Sequence, residues 1–116
     1  MVLLSSNICD FNKKIIGFNL KNIDGQTYHL DNLLGENGTL IMFICNHCPY
    51  VKAIIKELVK TTVELSNYGI HSIAIMPNDT RKYPEDNFEK MKKFADINNF
   101  NFPYLIDETQ EVAKKY

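Results

Sequence analysis

An α/β fold with a central, mostly parallel sheet and a small β-hairpin ahead of it is what the sequence predicts, on three observations. The run Thr39-Leu40-Ile41-Met42-Phe43-Ile44 is apolar without alternation, the pattern of a strand covered on both faces. Behind it Val51, Ile54, Ile55, Leu58, Val59 and Val63 recur at helical spacing, and Ile70-His71-Ser72-Ile73-Ala74-Ile75-Met76 resumes a strand. Strand, helix and strand in that order form a βαβ unit. Third, Cys45-Asn46-His47-Cys48 stands where the first strand meets the helix, which puts two thiols on a strand-to-helix turn.

The elements follow in chain order. Phe18-Asn19-Leu20-Lys21-Asn22-Ile23 alternates apolar and polar, Asp24-Gly25 supplies a turn, and Thr27-Tyr28-His29-Leu30 is extended again, so a hairpin opens the fold. Asp31 to Gly35 reads as a short helical turn with an acidic cap and a terminal glycine. Thr39 to Ile44 is expected in the middle of the sheet. The main helix is expected from about Pro49 to Ser66, closed by Tyr68-Gly69. Pro84 suits the first turn of a helix that gathers Phe88, Met91, Phe94 and Ala95 on one side. Phe102 to Ile106 is extended, and Asp107-Glu108-Thr109-Gln110 has capping-box spacing for a last helix through Tyr116.

At 116 residues the chain is expected to be a single domain, 1–116. Hydrophobic residues make up 45% and charged residues 23%, and the net charge is -1, so the footprint of a nucleic-acid or anionic-membrane binder is missing. Lys52, Lys56 and Lys60 form a stripe at i, i+4 spacing, but Glu57 and Glu64 lie beside it and the stripe reads as a solvated helix face. Met1 to Lys14 carries only Val2-Leu3-Leu4 as an apolar run and no basic start, so neither signal peptide nor membrane span is expected and the cytoplasm is the default location. Three cysteines do not make a disulfide framework. Cys9 has no sequence-level partner and reads as a small hydrophobe.

Two thiols separated by two residues can close a small disulfide ring, and the attacking species in exchange is the thiolate. A helix start offers unpaired N–H groups and partial positive charge, which lower a thiol pKa to roughly 3.5–7.5. Cys45 is therefore expected to be the nucleophile and Cys48 to resolve the mixed disulfide. His47 between them adds a donor and, when protonated, a positive charge, which favours thiolate and a more oxidising potential. Asn46 and His47 are expected in an irregular turn, with Pro49 near the first helical position. Zinc is the rival reading, with His47, His29, His71 or Cys9 completing a site begun by Cys45 and Cys48. No second CxxC and no HxxxH exists to complete it, so no metal is expected, and no cofactor.

Several further stretches fall into an order of their own. Cys45-Asn46-His47-Cys48-Pro49-Tyr50-Val51-Lys52-Ala53, Asn78-Asp79, Tyr83-Pro84-Glu85-Asp86 and Phe102-Pro103-Tyr104-Leu105-Ile106-Asp107-Glu108-Thr109-Gln110-Glu111-Val112-Ala113 together resemble the thioredoxin-like superfamily, in its redoxin, AhpC/TSA-like branch. The resemblance covers most of the chain from Phe18 onward. It implies a thioredoxin-like sandwich, with Cys45 as nucleophile and Cys48 as resolving thiol. Where thioredoxins have Trp before the first cysteine and Gly-Pro between the pair, this chain has Ile44 and Asn46-His47. Where they bury an acid six residues upstream, it has Thr39, so proton relay falls to another group, with Asp79 or Glu85 as candidates.

Family members continue into a cis-proline loop, a strand pair and a last helix beyond the point where this sequence stops. The resemblance thus implies a C-terminally truncated fold whose Thr39–Ile44 strand is left as an apolar edge, and self-association through that edge or membership of a longer protein. The implied activity is thiol-disulfide exchange on protein or small-molecule disulfides and thiols, with an electron donor as partner. A peroxiredoxin-like peroxidase is the alternative, because Cys48-Pro49 gives the Cys-Pro step of those enzymes. Against it, Cys45 stands where they have threonine and Ile41 where they have proline. A non-catalytic remnant serving as a binding or assembly module is the third possibility.

Overall fold

The computed structural model describes residues 11–116. The expectations placed on Val2-Leu3-Leu4 and on Cys9 fall outside them. Five strands form one sheet in the order β2-β1-β5-β4-β3, with β1 at Asn19–Asn22, β2 at Thr27–His29, β3 at Gly38–Phe43, β4 at Ile70–Met76 and β5 at Tyr104–Ile106. Among the described residues three α-helices accompany them: α1 at Pro49–Ser66, α2 at Phe88–Ile97 and α3 at Glu111–Lys115. Among the described residues no helix is long and apolar enough to cross a membrane.

The sheet is mixed rather than mostly parallel. β3, β4 and β5 run parallel, whereas β1 pairs antiparallel with both β2 and β5, with Lys21 opposite Ile106 and Asn22 opposite Leu105. The expected hairpin is therefore not an appendage ahead of the sheet but its continuation. Asn22 fixes the join, because its side-chain Oδ1 accepts the Tyr104 N–H at 2.9 Å.

The middle of the sheet also differs from the sequence reading. β4, not β3, is the strand covered on both faces: Ile73, Ala74, Ile75 and Met76 are fully buried, and β4 pairs with β3 on one side and β5 on the other. Among the described residues β3 pairs with β4 alone, and its residues are half-buried, with Phe43 exposed. An unbroken apolar run reports burial on two faces but not hydrogen bonding on two edges, which is why the run could be taken for a central strand. The edge position implied by the family resemblance is the one observed.

Alternate residues of β4 serve two cores. Ala74 and Met76 join Met91, Ala95, Phe102, Tyr104 and Ile106 beneath α1 and α2, while Ile73 and Ile75 meet Phe18, Leu30 and Leu105 on the face shared with the hairpin and α3. The α1 start lies where proline allows it, with Cys48 as N-cap and Pro49 in the first turn. Gly69, at φ 75°, makes the left-handed turn from α1 into β4. The capping box foreseen at α3 is replaced by a different cap: Gln110 itself is left-handed at φ 60°, and the buried Asp107 carboxylate accepts the N–H of Val112 at 3.4 Å and of Ala113 at 3.0 Å.

Candidate active site

β3 delivers the chain to the CxxC turn at the end of the sheet. The Ile44 N–H still donates to the Ile75 carbonyl, and Cys45, Asn46 and His47 then form an irregular turn before α1. Both thiols are free and half-buried. Cys45 packs against the Met76, Met91 and Tyr104 core, whereas Cys48 occupies the helix cap.

Behind this turn stands a polar cluster carried by the segment between β4 and α2. Pro84–Asp86 is a single 3₁₀ turn, and it places the Asp86 carboxyl in the interior with no exposed surface. Asp86 Oδ1 accepts the Asn46 backbone N–H at 2.8 Å, and Oδ2 accepts from Asn78 Nδ2 at 2.8 Å. His47 Nδ1 approaches Oδ2 to 2.6 Å, although the ring is turned so that no well-aligned hydrogen bond forms there. The imidazole is held from its face by Tyr83, whose ring lies nearly parallel with centroids 5.5 Å apart.

Asn46 is more than a turn residue. Its side-chain Oδ1 accepts the Tyr104 hydroxyl at 2.7 Å and its Nδ2 donates to the Glu85 carbonyl at 3.1 Å. Together with the backbone bond to Asp86, this ties the CxxC turn to β5 and to the 3₁₀ turn at once. Burial, and secondarily the nearby charges of Asp86 and Cys45, hold the Tyr104 hydroxyl protonated well above the ordinary tyrosine range, so it serves as a donor.

The electrostatics of Cys45 correct the sequence reading. A thiol depressed by the helix start was expected. Burial instead pushes the Cys45 thiol up, and the negative charge of Asp86 adds to the rise; bonds from the backbone N–H groups of Cys48 and His47 oppose it only in part. The cause is positional, since Cys48 and not Cys45 caps α1.

Asp79 sits in the loop after β4, where it accepts the Arg81 backbone N–H at 2.9 Å and its Nε–H at 3.3 Å. Those bonds hold its carboxyl below the usual range, the backbone bond first. The acid brought to the cysteines is Asp86, while Glu85 contributes its carbonyl. His29 and His71 are exposed on strands. Among the described residues, Cys45, His47 and Asp86 are the group whose metal-ligating atoms lie together, all within 4.8 Å of one another.

Residues 11–116 match the AhpC/TSA family. The chain belongs to the AhpC/TSA family. Among solved structures it is similar to an uncharacterized conserved protein from Geobacillus kaustophilus, at 45% identity and TM-score 0.92, over 97% of this chain and 60% of that one. It is also similar to a hypothetical protein from Sinorhizobium meliloti, at 30% identity and TM-score 0.89, over 95% of this chain and 60% of the other. This chain thus spans about 60% of the length of both relatives. Peroxidoxin BcpB from Mycobacterium tuberculosis shares the fold, at 20% identity and TM-score 0.73, over 90% of this chain and 63% of that one. No protein of curated function matches the sequence significantly.

The AhpC/TSA chain therefore has a thioredoxin-like fold whose CxxC turn is braced by Asn78, Tyr83, Asp86 and Tyr104. Tyr83, Asp86 and Tyr104 lie within the stretches that carry the family resemblance, as does Asn78, but no spacing rule points from them to the cysteines. Asp86 lies 40 residues along from Asn46 and Tyr104 lies 58 residues along.

Proposed function

We propose that this AhpC/TSA chain is a thiol-disulfide oxidoreductase in which Cys45 attacks and Cys48 resolves. The observation that carries the proposal is the pair of free thiols at the strand-to-helix junction with a buried acid behind them. Cys45, as thiolate, attacks one sulfur of a substrate disulfide, and the other sulfur leaves as a thiol. Cys48, at the α1 cap, then attacks Cys45 of the mixed disulfide, releasing the second substrate thiol and closing Cys45–Cys48. His47 and Asp86 lie within 4.8 Å of Cys45 Sγ, a separation that one water can bridge to take the Cys45 proton, a need made greater by the raised thiol. His47, Asn46 and Pro49 modulate and shape the turn, and Asp79 is left a local structural part. Substrates are protein or small-molecule disulfides and thiols, and an electron donor completes the cycle.

The test is catalysis on a model disulfide. The wild-type chain is expected to turn over, Cys45→Ser to be inactive, and Cys48→Ser to accumulate a mixed disulfide that mass spectrometry detects. Hydroperoxide consumption dependent on Cys48 would favour the peroxidase reading, and indifference of every assay to both cysteines would favour a non-catalytic module. We further propose that the outer edge of β3 pairs with that of a second copy, a reading supported by the single partner that strand has among the described residues.

A further inference from the structure

The donor set beside the redox turn contains more than exchange requires. We propose that the reduced site also binds a borderline-soft divalent cation of the zinc type through Cys45 Sγ, His47 Nδ1 and Asp86 Oδ2, leaving the fourth tetrahedral position open to solvent or an added thiol. Ligand atoms of a tetrahedral zinc site lie roughly 3.3–3.7 Å from one another, given metal–ligand bonds of about 2.0–2.3 Å. Here all three fall within 4.8 Å, and the His47–Asp86 contact of 2.6 Å need open by only about 0.7–1.1 Å.

Two features make the cluster a built site. Asp86 is wholly buried, and its carboxylate is aimed by the Asn46 N–H and by Asn78 Nδ2, the outer bonds that orient a metal-binding carboxylate. His47 Nδ1 is buried yet has no aligned hydrogen-bond partner, so its lone pair is available once the ring is neutral, and Tyr83 fixes the ring plane. Sulfur, imidazole and carboxylate in one set select zinc or cobalt over calcium and magnesium, which take oxygen ligands. The sequence reading set zinc second because no second CxxC or HxxxH exists. The third ligand is an aspartate that only the fold brings near.

Binding expels the Cys45 thiol proton. Release on oxidation rests on the dithiol activity proposed above. With oxidised glutathione as oxidant, Cys45 and Cys48 lose two electrons and form their disulfide. The glutathione disulfide bond breaks to give two thiols, which take one proton from Cys48 and one from solvent, and the cation departs because Cys45 no longer offers a thiolate.

The experiment titrates the reduced full chain with Co²⁺ and then with Zn²⁺ against a chromogenic chelator. One cation per chain, with a sulfur-to-cobalt charge-transfer band, is expected. Cys45→Ser should abolish the band, and His47→Ala and Asp86→Asn should each weaken binding at least tenfold, the half-exposed His47 serving if Asp86→Asn fails to fold. Cys48→Ser should keep the site, though it cannot form the disulfide. Absence of stoichiometric binding, or binding lost in Cys48→Ser and kept in His47→Ala, overturns the proposal. Metal binding without disulfide turnover leaves the site standing and removes the redox reading, and turnover without metal binding does the reverse.

Discussion

Cys45 combines partial exposure with contact with the core, and its raised thiol records the second. Because burial and Asp86 both favour the neutral thiol, its alkylation rate should climb with pH and inflect above the ordinary thiol value of 9.0 when a chelator is present. Asp86→Asn should move that inflection downward, but not into the range of a helix-start thiolate, since burial is the larger cause and remains. An inflection below the ordinary value in the wild-type chain would contradict this assignment. Tyr104→Phe removes one hydroxyl from a buried site and leaves Asn46 Oδ1 without its donor, at a cost of about 1–3 kcal/mol in a denaturant titration. The same variant should loosen the turn and accelerate alkylation of Cys45.

At the scale of elements, β4 and β3 have similar sequences and different fates. Ile75→Ala empties a fully buried position flanked by strands on both sides and should cost about 2–5 kcal/mol. Ile41→Ala, in half-buried β3 and directly opposite Ile73, should cost roughly half as much or less. Equal losses would mean that the edge of β3 is covered in solution. Helix α1, the turn at Gly69 and the strand character of β3, β4 and β5 were legible because each is written in local periodicity and turn chemistry. The exchange of central and edge strands was not legible, since pairing partners are chosen across the fold. The candidate site divides the same way. Cys45, Asn46, His47, Cys48 and Pro49 announce themselves by adjacency, whereas Asp86, Asn78 and Tyr104 act through contacts that only the topology creates. The sequence pointed to Asp79 or Glu85 for proton relay and not to Asp86, and what separates Asp79 from Asp86 is that Arg81 occupies one while the 3₁₀ turn buries the other.

For the whole molecule, the proposed pairing of β3 edges is tested by the state of association. If the outer side of β3 pairs between copies, sedimentation should show concentration-dependent association, and Phe43→Lys, which sets a charge on that edge at an exposed position, should shift the equilibrium toward monomer. A monomer at all concentrations, unchanged by the substitution, would remove the proposal. The antiparallel seam between β1 and β5 has a consequence of another kind. It unites the beginning of the described chain with residues near its end, and Tyr104, held there by Asn22, is also the residue that clasps Asn46. On a ribosome adding about 5–20 residues per second, the cysteine turn emerges several seconds before the strand that will shape it. During that interval the two thiols lack the contacts with Tyr104 that shape their turn, and those contacts form only when synthesis has passed β5.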